Sequence, residues 1–225
     1  MEAASLDFDA VILAGGRSSR LGGVPKQDLT YDGDTLLRRS VAAARGARAV
    51  VVVGPGSGDL PPGVLTCREE PPFSGPAAAI GAGLQALKDT LGVRPRLTLV
   101  LACDMPGAGH AVATLREALR AGGPAARPDG AVAVSADGRR QPLAGFYGTS
   151  VLERAVTELA ARGALINGSV RALLASLDLQ PVAVPAGSTA DVDTWDDAAA
   201  LGVAGRDPRR GFRSNAAAED FGGKA

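Results

Sequence analysis

Seven short apolar segments recur along the chain, each bounded by glycine, proline or charged residues. Runs of this length and composition are typical of β-strands. The segment at 49–53 contains four consecutive valines, which is typical of a strand buried on both faces of a parallel sheet. The seven predicted strands cover residues 10–13, 49–53, 64–67, 96–102, 131–135, 143–147 and 179–184.

Between these segments, apolar residues recur at the three- and four-residue spacing of amphipathic helices. Thr194 is well placed to cap the last helix. The predicted helices cover 35–45, 75–91, 110–121, 151–162, 170–177 and 195–200. Strand, helix and strand within the first 53 residues predict a βαβ unit with parallel strands. The alternation predicts an α/β fold, a Rossmann-like three-layer sandwich around a mostly parallel sheet, with a hairpin or an exchange between sheets at 131–147.

Length, composition and charge narrow the class of protein. With 225 residues, the chain can form one large core or two small domains. Its 24 basic and 24 acidic residues balance, so no overall field favours nucleic acid. Cys67 and Cys103 lack the spacing of a zinc site, and no apolar run approaches the length of a membrane helix. The acidic start does not resemble a signal peptide, so we expect a soluble, cytoplasmic protein.

The C-terminal end differs in composition from the rest. Beyond Gly202 the sequence becomes rich in glycine, arginine and aspartate. We therefore predict one domain over residues 1–204, followed by a polar, disordered tail over 205–225.

A glycine-rich loop after the first strand carries the clearest candidate chemistry. Gly15 and Gly16 leave backbone N–H groups accessible to a ligand, and three cations, Arg17, Arg20 and Lys26, follow within ten residues. Amides and cations together favour a polyphosphate ligand. The alternative is an ordinary glycine-rich turn with solvated arginines. The P-loop pattern is excluded, because no Gly-Lys-Ser/Thr sequence follows the glycines.

A second candidate lies at the end of the most apolar strand. Asp104 follows residues 96–102, at the sheet edge where open α/β folds bind ligands. It is a credible Mg²⁺ ligand, although an aspartate there can also serve as a turn former or helix cap. The small residues that begin the helix at 75–91 allow close approach of either a sheet or a phosphate. His110, the only histidine, is interpreted as a surface residue.

Taken together, the motifs resemble the molybdenum cofactor guanylyltransferase (MobA-like) family of nucleotidyltransferases, over residues 8–203. The resemblance is carried by the loop at 13–26, Glu70 ahead of Gly75, Cys-Asp-Met-Pro at 103–106, Gln-Pro-Leu-Ala-Gly-Phe-Tyr at 141–147, Ser-Val-Arg-Ala-Leu-Leu at 169–174 and Asp-Val-Asp-Thr at 191–194. It implies a nucleotidyltransferase-type, GT-A-like fold.

The resemblance also implies roles for individual residues. Arg20, Lys26 and Asp104 would be catalytic, and Asp104 would hold Mg²⁺, with Asp191 and Asp193 as weaker candidates. The implied nucleotide-binding residues are Leu13, Ala14, Gly15, Gly16, Lys26, Glu70, Gly75 and Asp104. Glu70 stands where the family has an aspartate, and Gly54 stands near a position that is asparagine in some members. Pro25-Lys26-Gln27 is more similar to the cytidylyltransferase branches.

The implied reaction transfers GMP from GTP to the phosphate of molybdopterin and releases pyrophosphate. The implied partners are GTP, molybdopterin or molybdenum cofactor, and molybdoenzymes or other cofactor-maturation proteins, with neither nucleic acid nor membrane. A monomer or weak oligomer is expected. Two alternatives remain open: a cytidylyltransferase or other small-phosphate nucleotidyltransferase of the same fold, and a non-catalytic nucleotide-binding module.

Overall fold

The computed structural model describes residues 6–16, 18–55, 60–122 and 129–205. Its elements, in chain order, are β1 (Phe8–Leu13), β2 (Thr30–Tyr31), β3 (Asp34–Thr35), α1 (Leu36–Ala43), β4 (Val50–Val53), β5 (Leu65–Cys67), α2 (Gly75–Leu91), β6 (Leu97–Ala102), α3 (Ala108–Ala121), β7 (Gly130–Val134), β8 (Arg140–Gly148), α4 (Thr149–Ala161), α5 (Val170–Leu173), β9 (Leu179–Ala183) and α6 (Trp195–Leu201). Arg17 and the predicted tail beyond 205 lie outside the described residues, and the predicted domain boundary stays a prediction.

One seven-stranded sheet organises the chain, in the order β5-β4-β1-β6-β8-β7-β9. Neighbouring strands are parallel except around β8, which runs antiparallel to both β6 and β7. The β7–β8 pair is the predicted hairpin, with a register shift between Val132 and Ala133. The sheet therefore has the mostly parallel architecture that the alternation of strands and helices predicted.

Alternate residues of the central strand β1 face two separate cores. Phe8, Ala10 and Ile12 pack with α1 and α3, whereas Val11 and Leu13 pack with α2, α4 and α5. All six residues of β1 are buried, as expected for a strand covered by helices on both faces. Helix, sheet and helix thus form the predicted three layers.

Close packing explains part of the small-residue pattern in α2. A Cβ atom on Gly83 would lie 2.7 Å from Cγ1 of Val11 and 3.0 Å from Cγ2 of Val53. A larger residue would therefore push the helix away from β1 and β4. Gly75, Pro76 and Ala79, at the start of the same helix, line a cavity instead. Close packing thus accounts for Gly83, whereas phosphate binding at the start of α2 stays a prediction.

A third, smaller core holds the segments that carry the candidate site. Leu21, Leu29 and Leu36 pack against Val192 and Ala198 of the C-terminal part. Helix α6 is fixed by the predicted cap. The Thr194 hydroxyl accepts a bond from the backbone N–H of Asp197, and the Asp197 carboxylate accepts one from the backbone N–H of Thr194. This core holds residues 191–193 beside the loop that contains Lys26.

The predicted elements agree with the structure in type and order, and differ at their ends. Helix α1 begins after Thr35, because Thr35 is its N-cap, and α5 ends at Leu173 rather than at 177. The two-residue strands β2 and β3 escaped prediction, since they are too short to show a hydrophobic period. Among the described helices, none combines the length and the apolar character that a bilayer-spanning segment needs.

Candidate active site

The candidate site lies at the carboxyl ends of the parallel strands. The backbone N–H of Cys103 donates to the carbonyl of Leu13, and the N–H of Ala14 donates to the carbonyl of Val53. These two bonds bring the loops after β1, β4 and β6 to one edge, where open parallel sheets bind ligands. A cavity of about 500 Å³ opens there, and Leu13, Ala14, Gly15, Gly16, Lys26, Gly75, Asp104 and Asp191 contribute to its wall.

The glycine loop presents open backbone to this cavity. A Cβ atom added at Gly15 or Gly16 would meet nothing within 4 Å, and Gly16 has a φ of +152°, which favours glycine. Gly54 lies behind the loop. A Cβ there would come within 2.8 Å of the carbonyl carbon of Ala14 and 2.9 Å of the backbone nitrogen of Gly15. An asparagine at position 54 therefore does not fit behind this loop as it stands.

Lys26 links two carboxylates at the cavity. Its Nζ lies 2.9 Å from Oδ2 of Asp104 and also donates to Oδ1 of Asp193. The side chains of Lys26 and Asp104 are about 20% exposed, and that of Asp193 is 44% exposed. The three residues come from positions far apart in the sequence. The backbone bond from the N–H of Val192 to the carbonyl of Asp104 holds the two acidic segments together.

Electrostatics keeps this lysine charged. Burial alone lowers the pKa of Lys26, but the carboxylates of Asp104 and Asp193 outweigh burial and raise the pKa above its ordinary value. The ammonium group therefore remains a cation throughout the neutral range. Lys26 compensates the negative charge of the acidic cluster and supplies a fixed positive charge at the cavity.

Three clustered carboxylates, two of which line the cavity, fit a divalent cation. One oxygen from each of Asp104, Asp191 and Asp193 lies within 4.8 Å of the others. Burial, together with the nearby charges of Asp104 and Asp193, raises the pKa of Asp191. Carboxylate oxygens are the ligands that Mg²⁺ prefers. The donor set is therefore chemically suited to the metal that the resemblance implied, with Asp191 and Asp193 as full members of the cluster.

Arg20 lies at the edge of the site. Its side chain is 72% exposed, and Nη1 lies 3.6 Å from Oδ2 of Asp193. It does not line the main cavity. The structure thus places Arg20 beside the carboxylate cluster, on the solvent side.

The acidic residue at the β5–α2 loop differs from the one expected. Glu70 is exposed and does not line the cavity, whereas Glu69 is buried and does. The Glu69 Oε1 atom accepts a hydrogen bond from the backbone N–H of Phe73 at 2.9 Å. The resemblance implied Glu70 from its distance ahead of Gly75. Residues 70–74 form a turn, and the sequence does not reveal which of the two glutamates this turn directs to the cavity. The structure thus assigns the cavity position to Glu69.

Several cavity residues escaped individual prediction. Gln141, Pro142 and Leu143 of β8 and Val170 of α5 also line the cavity, as does Phe73 of the β5–α2 loop. The first four lie in segments that carry the family motifs, but a motif alone does not show which of its residues line a cavity. For the three residues of β8, the signal that could have identified them is the antiparallel course of this strand, which brings its first residues to the carboxyl ends of the parallel strands.

Fold and site together define a nucleotidyltransferase of the α/β class: open glycine amides, a lysine and clustered carboxylates meet at the carboxyl ends of a parallel sheet. Residues 10–182 match the MobA-like NTP transferase domain, and the chain belongs to that family. A probable molybdenum cofactor guanylyltransferase of Mycobacterium marinum is 32% identical over 184 residues, covering 80% of this chain and 86% of the relative. The corresponding protein of Opitutus terrae is 32% identical over 200 residues, covering 87% and 94%.

Solved structures share the fold. Molybdopterin-guanine dinucleotide biosynthesis protein A from Archaeoglobus fulgidus superposes with a TM-score of 0.61 at 18% identity, covering 86% of this chain and 96% of that one. The 2-C-methyl-D-erythritol 4-phosphate cytidylyltransferase of Thermus thermophilus gives 0.60 at 19% identity, covering 87% and 97%. At these identities the likeness concerns the fold alone, and it confirms the predicted nucleotidyltransferase-type sandwich.

Proposed function

We propose that this chain transfers GMP from GTP to the phosphate of molybdopterin and releases pyrophosphate, as the names of its relatives suggest. The observation that carries the proposal is the position of Lys26. Its ammonium bridges Asp104 and Asp193 at a cavity bordered by the open amides of Gly15 and Gly16. This arrangement offers positive charge and amide donors to phosphates, and carboxylates to a divalent cation.

The reaction makes modest chemical demands on the protein. The attacking phosphate of the acceptor is already ionised at neutral pH, so the chain need not supply a nucleophile or a general base. The barrier comes from the repulsion between two anions that must approach each other and from the negative charge that develops on the departing pyrophosphate. Lys26 and the amides of Gly15 and Gly16 lower that barrier through charge and positioning.

Asp104, Asp191 and Asp193 would hold the divalent cation, for which Mg²⁺ is the expected ion. When bound, such an ion neutralises phosphate charge and stabilises the leaving group. Lys26 must share the same carboxylates. We therefore expect its ammonium to move toward the phosphates when substrate and cation bind together.

The two flanks of the cavity suit two substrates. The nucleotide is assigned to the side of β1, β4 and β5, where Glu69 and Phe73 lie, and Glu69 takes the role that the resemblance implied for Glu70. The acceptor is assigned to the side of β8 and α5, where Gln141, Leu143 and Val170 form the wall. The acidic cluster, between these flanks, is where the phosphates of both substrates would meet.

CTP is the competing nucleotide. Pro25-Lys26-Gln27 resembles the cytidylyltransferase branches, and Gln27 lines the cavity. A smaller base would also fit beside the same glycine loop. In both cases the acceptor phosphate attacks the α-phosphorus of the triphosphate, the nucleoside monophosphate is transferred and pyrophosphate leaves, so the two proposals differ only in the base.

Pyrophosphate release tests the proposal directly. Purified protein is incubated with Mg²⁺, a molybdopterin-loaded extract and each nucleoside triphosphate separately, and an extract lacking molybdopterin serves as the control. We expect release with GTP that depends on both the extract and the metal. Faster release with CTP would favour the cytidylyltransferase, and no release with any triphosphate would contradict the proposed activity.

A further inference from the structure

A large aromatic side chain forms part of the cavity wall. Phe73 is 46% exposed and lines the cavity wall on the β5–α2 loop. The other large apolar side chains that are exposed in the described ranges, Val93 and Ile166, lie outside this wall. The partly exposed ring of Phe73 is therefore available to contact a ligand bound in the cavity.

The backbone holds this ring in place at an energetic cost. Phe73 has a φ of +63°, in the left-handed region that bulky residues rarely adopt. Its N–H is held by the buried carboxylate of Glu69, and the carbonyl of the next residue, Ser74, accepts a 2.7 Å bond from the N–H of Asn167. Strained conformations that the surrounding structure enforces are concentrated at ligand sites.

A cation lies against the same ring. The guanidinium carbon of Arg68 is 5.0 Å from the ring centroid, within the range of a cation–π contact. Phe73 therefore comes with a supporting side chain and a fixed backbone, and it stands on the flank of the sheet formed by β1, β4 and β5.

We propose that Phe73 stacks against the base of the bound nucleotide, with Arg68 positioning the ring; this rests on the nucleotidyltransferase function proposed above. The loops that would hold the phosphates and the metal lie after β1 and β6, and the β5–α2 loop borders the same cavity. A base attached to those phosphates reaches Phe73 on this flank. Stacking accepts the face of any base, so Phe73 supplies affinity for the base, and edge contacts choose its identity.

Phe73→Gly tests this proposal, because it separates binding from folding. Glycine adopts a positive φ without strain, so the variant keeps or raises the melting temperature. The affinity for the nucleoside triphosphate that wild type binds most tightly falls about tenfold, as expected for the loss of one stacked base. Inorganic tripolyphosphate, which has no base, binds wild type and variant equally. Calorimetry without any acceptor measures both affinities.

Two further variants complete the test. Phe73→Trp restores affinity, and the fluorescence it adds to that of Trp195 is quenched by the nucleotide. Val93→Ala, an exposed apolar residue outside the cavity, changes neither affinity. Equal nucleotide affinity in wild type and Phe73→Gly, or equal losses for nucleotide and tripolyphosphate, overturns the stacking proposal alone. Failure of wild type to bind any triphosphate overturns the proposed function and, with it, the stacking.

Discussion

Two clusters of charged side chains, each containing both signs, lie at opposite ends of β1, and their environments differ. At the carboxyl end, Lys26 bridges Asp104 and Asp193 at the mouth of a cavity. At the amino end, Asp9 is fully buried, and Arg94 lies between it and Glu153, 3.5 Å from the first carboxylate and 3.1 Å from the second. Each cluster places one cation between two carboxylates, yet one cluster borders a cavity and the other is enclosed by helices.

The difference shows how burial decides what a charged cluster can do. Arg94 also donates to the carbonyl of Leu84, so it joins β1 to both α2 and α4. Burial raises the pKa of Asp9 despite the nearby charges of Arg94 and Arg48, so the charged form is held at a cost. The enclosed cluster is therefore structural, whereas the cavity cluster can exchange its partners with a ligand.

The largest expected effect concerns the carboxylate at the cavity. Asp104→Asn keeps the size of the side chain but removes the charge that a metal ligand must supply, so pyrophosphate release should fall about a thousandfold. The melting temperature should stay near that of wild type. Asp89→Asn, an exposed aspartate in α2, is the matched control and should keep full activity. Near-normal turnover in Asp104→Asn would make this residue a simple turn former.

Breaking the enclosed cluster should affect stability instead of turnover. Arg94→Met leaves Asp9 buried without its cation, and we expect a loss of about 3 kcal/mol in the free energy of unfolding, with unchanged activity per folded molecule. Arg162→Met, which removes an exposed pair with Glu158, should cost less than about 1 kcal/mol. Denaturant unfolding measures both. A large loss of activity in folded Arg94→Met would contradict the structural role.

The pH dependence of the stability of Arg94→Met tests the difference between the enclosed cluster and the cavity cluster further. Because the pKa of Asp9 is raised in the folded state, its contribution to stability is fully present below the unfolded pKa and decreases as pH rises through the folded one. Without Arg94 the charged form is more costly, so the destabilisation by Arg94→Met should grow from acidic to neutral pH. Unfolding curves across that range test the sign, and an effect that shrinks with pH would contradict the assignment.

At the cavity, Lys26→Met should lower turnover about a hundredfold, because one fixed cation is lost from the transition state. It should also leave Asp104 and Asp193 without their shared partner, so binding of Mg²⁺ alone should become tighter. Lys88→Met, on the exposed face of α2, controls for the loss of one positive charge. Calorimetry with Mg²⁺ gives the second readout, and weaker metal binding in Lys26→Met would argue against shared carboxylates.

The smallest effect is expected for the N-cap of α6, which lies next to Asp193 of the cavity cluster. Thr194→Ala removes the capping box beside Asp193 and should cost about 1 kcal/mol, or a few degrees in melting temperature. Turnover should fall only slightly, since Val192 still holds the segment through the carbonyl of Asp104. Thr90→Ala, an exposed threonine in α2, is the control. A drop in turnover as large as that of Asp104→Asn would show that the cap positions the metal ligands.

The order and type of the main elements could be read from the sequence, because apolar periodicity is a local property. The valine run of β4 predicted a strand covered on both faces, and the glycine loop after β1 predicted a ligand site at the adjacent edge. Asp104 could be placed there as well, since the end of an apolar strand fixes where the next side chain falls. Each of these inferences depends on the sequence of a single local segment.

Other features depend on contacts between distant segments, and only the tertiary structure decided them. The choice of Glu69 over Glu70 depends on how the loop before α2 turns. The meeting of Lys26 with Asp193, 167 residues away, depends on the small core that seats α6 against the loop after β1. The ion pair of Asp9 and Arg94 has no sequence signal at all, because a charged residue inside an apolar run predicts neither its partner nor its burial. Local patterns thus determined the elements and the position of the ligand edge, whereas side-chain partners were set by packing across the whole chain.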